Sequence, residues 1–341
     1  MHKKSLFCCF FPPSDSAIMN VWSSCQALED AGADKQREAM DTEMDKLVMQ
    51  FLGTGAGEGV PTPFCRCAVC ENARRKKGKE IRLRSCFRLS EQLLIDFGPD
   101  ILASCAHLGT DLYEVKHILV THTHSDHFDI SNLFLKPMIT RTNGEKLHLY
   151  FTGDSARILS AADKMGYDGK EDFFAEHLSR HAVVHKLTFW ERTQAGAYGV
   201  TPVKGSHRAH FEQNSANYLL ELPDGRKLLY ALDTGFYSQE TLDFLKGHRL
   251  DLLIIEATFG SADRGDTPYS HLDVRSVNYL LNLLYEQGTV RDGTRVYLSH
   301  INQEQNYTHE QMEDLYSRSR TPYPIRVAYD GLVLEEALDR E

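Results

Sequence analysis

The chain has 341 residues, and 42% of them are apolar, which is enough to bury a large core in one two-layered domain or two small ones. Its 48 acidic side chains outnumber the 38 basic ones and give a formal charge of −10, which argues against general nucleic-acid binding. No apolar run approaches the roughly 18 residues of a membrane-spanning helix, so no membrane partner is expected.

The N-terminal region differs in composition from the rest of the chain. Residues 1–43 are polar and charged and lack apolar periodicity, which predicts a poorly ordered extension before a folded domain over residues 44–341. Met44 is an alternative natural start, because a strand pattern follows it almost directly. MHKKSLFCCFF is too short in its apolar part for a secretory signal, and the eight cysteines do not resemble a disulfide framework. The expected location is therefore the cytoplasm.

Predicted strands and helices alternate through the first half of the domain. LVMQFLG is a buried strand, and the glycine-rich GTGAGEG follows it as a loop whose backbone can approach a ligand closely. SCFRLS and QLLIDFG form a hairpin, a short helix covers residues 100–107, and KHILVTH is the next strand. A helix then begins at Asp129 and ends before Pro137. LHLYFTG is a strand, GDSARILSAADKMG a helix, and AVVHKLT and GVTPVKGSH are further strands.

The second half repeats this pattern. NYLLEL and KLLYALDTG form a hairpin around PDG, a helix covers residues 238–246, and DLLIIEATFG and RVYLSH are strands. SHLDVRSVNYLLNLLYEQG is the clearest helix, with Ser270 and Asp273 at the spacing of a capping box. Two groups of strands, each followed by helices, predict an α/β fold in which two sheets pack face to face with helices outside, a four-layer αββα sandwich.

The sequence THTHSDHFD, residues 121–129, directly follows the apolar run ILV. In an extended segment, positions i and i+2 point to the same side, so His122 and His124 can bind one cation together. If the chain then turns, Asp126 and His127 can face a second cation. Imidazole nitrogens and carboxylate oxygens suit Zn²⁺ or Mn²⁺. The alternative, a polar surface loop, is disfavoured because an apolar strand leads directly into the motif.

This motif resembles the H-x-H-x-D-H signature of the metallo-β-lactamase superfamily, and the resemblance covers roughly residues 47–334. It implies a hydrolase domain with two divalent cations: His122, His124 and His207 hold the first, Asp126, His127 and His300 hold the second, and Asp233 bridges them. Three of these residues, His207, Asp233 and His300, each end a predicted strand. His210 is an alternative to His207, which we prefer because an uninterrupted strand leads to it while His210 falls in an expected loop.

A second match is to the phosphoribosyl cyclic phosphate phosphodiesterases of phosphonate breakdown. GTGAGEGVPTPFCRCAVCENARR, residues 53–75, resembles their N-terminal loop, in which three cysteines and a later histidine bind a structural zinc. The matching thiols are Cys65, Cys67 and Cys70. Gln303 stands at the histidine position, however, and zinc needs a complete tetrahedral shell. His309, Cys86 or water would complete an additional zinc site; otherwise the three thiols bind no metal.

The resemblance implies a phosphodiesterase that cleaves a small, cyclic or otherwise compact phosphodiester with a hydroxide activated by the two cations. His271 resembles the family's general acid. The predicted capping box places it in the first turn of a helix, where free N–H groups favour phosphate; the alternative is a surface histidine beside a cap. Asp126, a ligand with a free oxygen, is a second candidate for orienting water or transferring a proton.

Other functions fit the same signature. Processing of tRNA 3′ ends usually involves a protruding RNA-clamping arm, and the sequence has no glycine- and lysine-rich insertion to build one. Lactone or thioester hydrolysis uses the same metals to polarise a carbonyl. A non-catalytic accessory protein shares the fold, although the intact ligand set argues against it. The expected partner is the small phosphodiester. The sequence does not decide between a monomer and a homodimer.

Overall fold

The computed structural model describes residues 45–138, 142–165 and 178–334. The extension predicted over residues 1–43 and the proposed start at Met44 lie outside these ranges. Within them, no helix is both long enough and apolar enough to cross a membrane.

The first sheet runs in chain order through six strands of the described residues: β1 (Leu47–Gly53), β2 (Cys86–Ser90), β3 (Leu93–Ile95), β4 (His117–Leu119), β5 (Leu147–Thr152) and β6 (Ala182–Leu187). β1, β2 and β3 pair antiparallel, which confirms the predicted hairpin. β3 to β6 are parallel, so their C-terminal ends meet at one edge of the sheet.

The second sheet has seven strands in the described chain: β7 (Thr193–Ala195), β8 (Tyr198–Arg208), β9 (Asn214–Glu221), β10 (Lys227–Ala231), β11 (Leu252–Glu256), β12 (Arg295–Ser299) and β13 (Ile325–Val327). β7 to β10 are antiparallel and include the predicted hairpin, whereas β10 to β13 are parallel. Every residue of β11 is buried, as is typical of a parallel strand covered on both faces.

Helices lie outside the sheets. Among the described residues they are α1 (Ala68–Lys76), α2 (Ile101–Leu108), α3 (Leu135–Met138), α4 (Arg157–Met165), α5 (Gln239–Leu245), α6 (Val274–Glu286) and α7 (His309–Ser317), with short 3₁₀ helices at Gly78–Glu80, Ile130–Phe134 and His210–Glu212. Residues of α2 and α4 pack with the first sheet, and residues of α5, α6 and α7 pack with the second.

Aromatic side chains from both sheets meet in the central core. Phe51 lies 5.0 Å from Phe87 between ring centroids and 6.3 Å from Tyr297 of the other sheet, and Phe87 lies 5.9 Å from Tyr230. The sheets therefore pack face to face with helices on both outer faces, and the predicted αββα sandwich is confirmed.

Two predicted helix boundaries are wrong. The residues after Asp129 form a 3₁₀ helix, and α3 continues through Pro137 to Met138, because proline is tolerated in a first helical turn. The N-cap of α6 is Asp273, whose carboxylate accepts the N–H of Ser276 at 2.8 Å while the Ser276 hydroxyl lies 2.9 Å from the Asp273 N–H. The capping box therefore begins three residues later than predicted from Ser270.

Candidate metal centre

The predicted ligands converge where strands of both sheets end. His122 and His124 follow β4, while His207 lies near the end of β8. Asp233 follows β10 by two residues and His300 directly follows β12. Because parallel strands end at one edge of each sheet, side chains far apart in sequence share one cleft.

Three histidines form the first cluster. His124 Nδ1 lies 3.1 Å from both His122 Nε2 and His207 Nε2. One nitrogen from each of the three rings lies within 4.8 Å of the other two, which suits a single cation held by three imidazoles. His207 therefore joins this cluster. His210 lies in the 3₁₀ helix that follows β8, and its Nδ1 is 2.9 Å from the carbonyl oxygen of Thr123.

The second cluster is made of Asp126, His127, Asp233 and His300, whose ligand atoms also lie within 4.8 Å of one another. His127 Nε2 lies 3.2 Å from His300 Nε2 and 3.3 Å from Asp126 Oδ2. Two imidazoles and two carboxylates offer the mixed nitrogen and oxygen donors that divalent transition metals accept.

Asp233 lies between the clusters. Its Oδ2 is 3.3 Å from His122 Nε2 of the first cluster and 2.5 Å from His127 Nε2 of the second. Its Oδ1 is buried and accepts no hydrogen bond of acceptable geometry from the described residues, although His271 Nδ1 and His300 Nε2 lie 3.1 and 3.3 Å away. A buried acceptor without a partner is costly, and a cation would satisfy it. The residues present therefore fit a pair of divalent cations.

The outer nitrogens of the ligands are held by residues that sequence reasoning missed. The three pairs are His127 Nδ1 with Asp96 Oδ2 at 2.7 Å, His207 Nδ1 with Ser270 Oγ at 2.8 Å, and His300 Nδ1 with Thr258 Oγ1 at 3.0 Å. Such contacts fix the orientation of a ligating imidazole and direct its other nitrogen inward. Of these three residues, only Asp96 could have been suspected from the sequence, because it is a carboxylate near the end of the predicted strand QLLIDFG.

Ring charge follows from burial and from nearby carboxylates. Burial holds the pKa of His122 well below its ordinary value, so this ring is neutral and able to ligate. Burial also disfavours charge on His127, but Asp126, Asp233 and Asp96 outweigh it and raise the pKa of His127 well above normal. Carboxylate charge therefore accumulates around His127, which favours a cation at this position.

His271 lies beside the two clusters rather than on a helix. It precedes the N-cap of α6, so its predicted place in the first helical turn is wrong. Its Nδ1 lies 3.1 Å from Asp233 Oδ1 and 3.1 Å from Glu256 Oε2. Burial lowers the pKa of His271, but the two carboxylates outweigh that effect and raise it to about 10. The arrangement holds a protonated imidazole at the edge of the cleft.

Glu256, at the end of β11, is fully buried and was also missed by sequence reasoning. It accepts the backbone N–H groups of Thr234 and Gly235 at 2.7 and 2.8 Å and the Thr258 hydroxyl at 2.5 Å. Since these donors occupy both of its oxygens, Glu256 orients the centre and His271. Its only signal was an acid at the end of an apolar strand.

A cleft of about 150 Å³ opens onto the clusters, lined by metal-ligating residues and by Ala56, Gly57 and Glu58 of the glycine-rich loop. A Cβ at Gly57 would lie 3.2 Å from Asp126 Oδ2, so a side chain there would crowd that carboxylate. The loop therefore forms one wall of the cleft, as expected from its glycines.

The three cysteines form a separate group whose sulfur atoms lie within 4.8 Å of one another. Cys67 Sγ lies 3.7 Å from the carbonyl oxygen of Gln303. Two suggested fourth ligands are engaged elsewhere: His309 Nδ1 lies 3.0 Å from Arg82 Nη2, and Cys86 Sγ lies 3.3 Å from the Asp96 carbonyl oxygen. The thiols can hold a metal, but neither His309 nor Cys86 completes a tetrahedral shell.

A model of the beta-lactamase superfamily domain matches residues 91–301, more than half of the chain. Ribonuclease Z of Pyrococcus furiosus is 29% identical over 157 residues, which cover 46% of this chain and 43% of that protein. The match thus spans less than half of that relative's length.

Two solved structures share the fold. A diphosphatase of the PhnP family is similar with a TM-score of 0.60 and 22% identity, over 85% of this chain and 97% of that chain. Zn²⁺-bound PqqB of Methylobacterium extorquens has a TM-score of 0.60 and 20% identity, over 84% of this chain and 99% of that chain.

Proposed function

The chain belongs to the metallo-β-lactamase superfamily, and on that basis we propose that it is a metal-dependent hydrolase that cleaves a small, cyclic or otherwise compact phosphodiester with two divalent cations. The observation that carries this proposal is the position of Asp233 between two clusters of candidate ligands, with one buried oxygen that accepts no hydrogen bond within the described ranges of the chain. Zinc or manganese suits these donors, and a relative of the same fold is Zn²⁺-bound.

Seven side chains would hold the cations, with the bridging role given to Asp233: His122, His124, His207, Asp126, His127, His300 and Asp233. Two such cations polarise a phosphoryl oxygen and lower the pKa of a nearby water. The protein's contribution is to hold three of these histidines rigidly, through Asp96, Ser270 and Thr258, so that one nitrogen of each ring is directed inward.

We assign His271 the task of giving a proton to the leaving alkoxide. Its Nδ1 lies 3.1 Å from Glu256 Oε2 and 3.1 Å from Asp233 Oδ1, which leaves Nε2 as the nitrogen available for a substrate. A cation at Asp233 would offset that carboxylate's charge and bring the pKa of His271 down from about 10, closer to the pH at which a general acid works best. Asp126 is our candidate for orienting the attacking water.

The size of the cleft supports a compact substrate. Its volume of about 150 Å³ is below the range of about 300–1,000 Å³ usual for small-molecule sites. The space beside the ligands therefore suits a phosphoryl group and a small part of its ester. A protein of the same fold, the diphosphatase of the PhnP family, is also named for a reaction at phosphate.

A second candidate is RNA 3′-end processing. The similarity to ribonuclease Z of Pyrococcus furiosus favours it, because 157 residues align at 29% identity. The acidic composition of this chain and the small cleft favour the compact phosphodiester.

Activity on a panel of substrates separates these functions. Protein loaded with Mn²⁺ or Zn²⁺ should be assayed on bis(p-nitrophenyl) phosphate, a cyclic ribose phosphate, a precursor tRNA and a lactone. We expect turnover of the first two. Cleavage of the precursor tRNA alone would support the second candidate, and absence of all phosphodiester turnover would contradict both.

The role of His271 is tested by leaving-group dependence. His271→Ala should retain its metals but slow substrates with poor alkoxide leaving groups far more than p-nitrophenyl esters, which need little protonation. His107→Ala on α2, which replaces an exposed histidine, is the matched control. Equal losses on both kinds of ester, or loss of metal, would contradict an acid role.

We also propose a cytoplasmic location. Cys65, Cys67, Cys70, Cys86 and Cys105 are free thiols in the described chain, as expected in a reducing compartment.

A further inference from the structure

A second cavity, of about 350 Å³, lies between α2 and the segment that runs from the Ile130–Phe134 helix into α3. None of its lining residues lines the metal cleft. Its volume falls within the range of about 300–1,000 Å³ typical of small-molecule sites. The cavity is therefore large enough for a ligand of its own.

The wall of this cavity is almost entirely apolar, formed by side chains such as Phe97, Ile101, Leu112, Val115, Ile118 and Leu147. Two further lining residues, Leu102 and Tyr113, leave 62% and 51% of their surface exposed. Large apolar side chains are costly to expose around an apolar hollow, and such clustering marks binding surfaces. The wall suits a hydrocarbon portion of a ligand.

Two charged residues, Lys136 and Asp111, interrupt this apolar wall. Among the described residues, Lys136 is the only cationic one that lines the cavity. Its Nζ is buried and has no hydrogen-bond partner in the described part of the chain. An unpaired buried ammonium is expensive, so a native protein normally supplies a partner. The described residues supply no hydrogen-bond acceptor for this ammonium.

The nearby acids do not supply that partner. Asp111, the only acidic residue in the described part of the lining, is exposed, and its Oδ1 accepts the backbone N–H of Tyr113 at 2.9 Å. Glu114 and Glu145 influence Lys136 only through their charge, and Lys116 opposes them. A single ammonium in an apolar hollow is complementary to a single negative charge on an apolar body.

We propose that this cavity binds a monocarboxylic acid with an apolar tail, with the tail against the apolar wall and the carboxylate paired with Lys136. This inference does not depend on the hydrolase activity, because the two cavities have separate linings. A carboxylate supplies the acceptors that the ammonium lacks, and the tail covers the exposed apolar rim.

Calorimetry with decanoate and decanol on the whole, metal-chelated chain tests the proposal. We expect decanoate to bind roughly 10- to 100-fold more tightly than decanol, the advantage of a charge-assisted hydrogen bond. Lys136→Met keeps an apolar stem and should abolish this preference while leaving decanol binding unchanged. Lys116→Met, which removes a neighbouring ammonium outside the lining, should preserve the preference.

Two further measurements test the proposal independently of the comparison between decanoate and decanol. Leu112→Trp should fill the cavity and weaken both ligands, and circular dichroism checks its fold. Without ligand, Lys136→Met should raise the melting temperature, because it removes a buried unpaired charge. A lower melting temperature in Lys136→Met would show that the chain itself pairs this lysine and would overturn the proposal. Decanoate binding that is absent, or unchanged in Lys136→Met, would overturn it as well.

Discussion

Two groups of candidate metal ligands in the described chain differ in how completely the surrounding residues orient and charge them. Around Asp233, the ligands come from both sheets, and the outer nitrogens of three histidines are held by Asp96, Ser270 and Thr258. The cysteine group, Cys65, Cys67 and Cys70, lies on one loop and the start of α1, and Cys67 Sγ contacts the backbone carbonyl oxygen of Gln303.

Protonation separates the two groups further. The charge of His127 holds the pKa of Asp126 below its ordinary value despite burial, so this ligand is ionised before any cation arrives. Among the thiols, burial raises the pKa of Cys70 to about 11, whereas backbone and side-chain hydrogen bonds from Cys67 lower the pKa of Cys65. Metal binding must therefore displace a proton from Cys70. A centre built into two sheets is prepared for cations, and a loop of three thiols is only partly prepared.

The largest expected effect is at the bridging residue. Asp233→Asn removes the charge that both clusters share, so we expect loss of bound metal and a fall in turnover of more than about 100-fold, beyond the range usual for supporting residues. Metal analysis and kinetics measure both. Asp224→Asn, in a turn at the surface, is the matched control. Wild-type turnover with both cations retained in Asp233→Asn would contradict the bridging role.

A smaller loss is expected at Glu256. Glu256→Gln keeps the size of the side chain but places an amide where N–H and O–H groups donate, so His271 loses its support. We expect a loss of about 10- to 100-fold in turnover, greater for poor leaving groups, with the metal content unchanged. Loss of a cation instead would identify Glu256 as a ligand.

The cysteine group can be made more like the main centre. Gln303→His places an imidazole on the residue whose backbone carbonyl contacts Cys67, and so offers a fourth ligand of the kind that tetrahedral zinc requires. We expect zinc affinity of the thiol group to rise by about tenfold or more, which competition with a chromogenic chelator measures. Gln305→His, two residues farther along the chain, is the control. Equal affinity in both variants would argue that water or another group already closes the shell.

The smallest effect concerns His309, which is buried beside Arg82 and away from the thiols. Burial, with the charges of Arg82 and Lys79, lowers the pKa of His309 to about 3. The folded protein thus keeps this ring neutral while the unfolded chain takes up a proton below about pH 6.5, so His309 makes stability fall as the pH falls toward 3.

Denaturant unfolding at pH 7 and pH 5 measures this effect. From pH 7 to 5 the wild type should lose about 2 kcal/mol more of its free energy of unfolding than His309→Gln does. Parallel losses in the two proteins would mean that His309 is protonated in the fold, as a partner of Glu313 rather than a neutral ring.

The layered fold and the convergence of the candidate ligands were predictable because both depend on local patterns. Apolar strands ending in His122, Asp233 and His300 are visible in the sequence, and the ends of parallel strands share an edge. Asp96 and Glu256 were less visible, since their importance lies in contacts with residues distant in sequence. The three-residue strands β7 and β13 are too short to show a period, and the cap of α6 was misplaced because Ser270 and Asp273 both suit an N-cap.

The central claim is that two cations act together, and a metal titration tests it most directly. Chelated Cys65→Ser/Cys67→Ser protein, in which the thiol group cannot compete, should be titrated with Mn²⁺ or Zn²⁺ while hydrolysis of bis(p-nitrophenyl) phosphate is followed. We predict that turnover rises until about two cations per chain are bound and then stays constant. Full turnover with about one cation per chain, or turnover without any, would contradict the account.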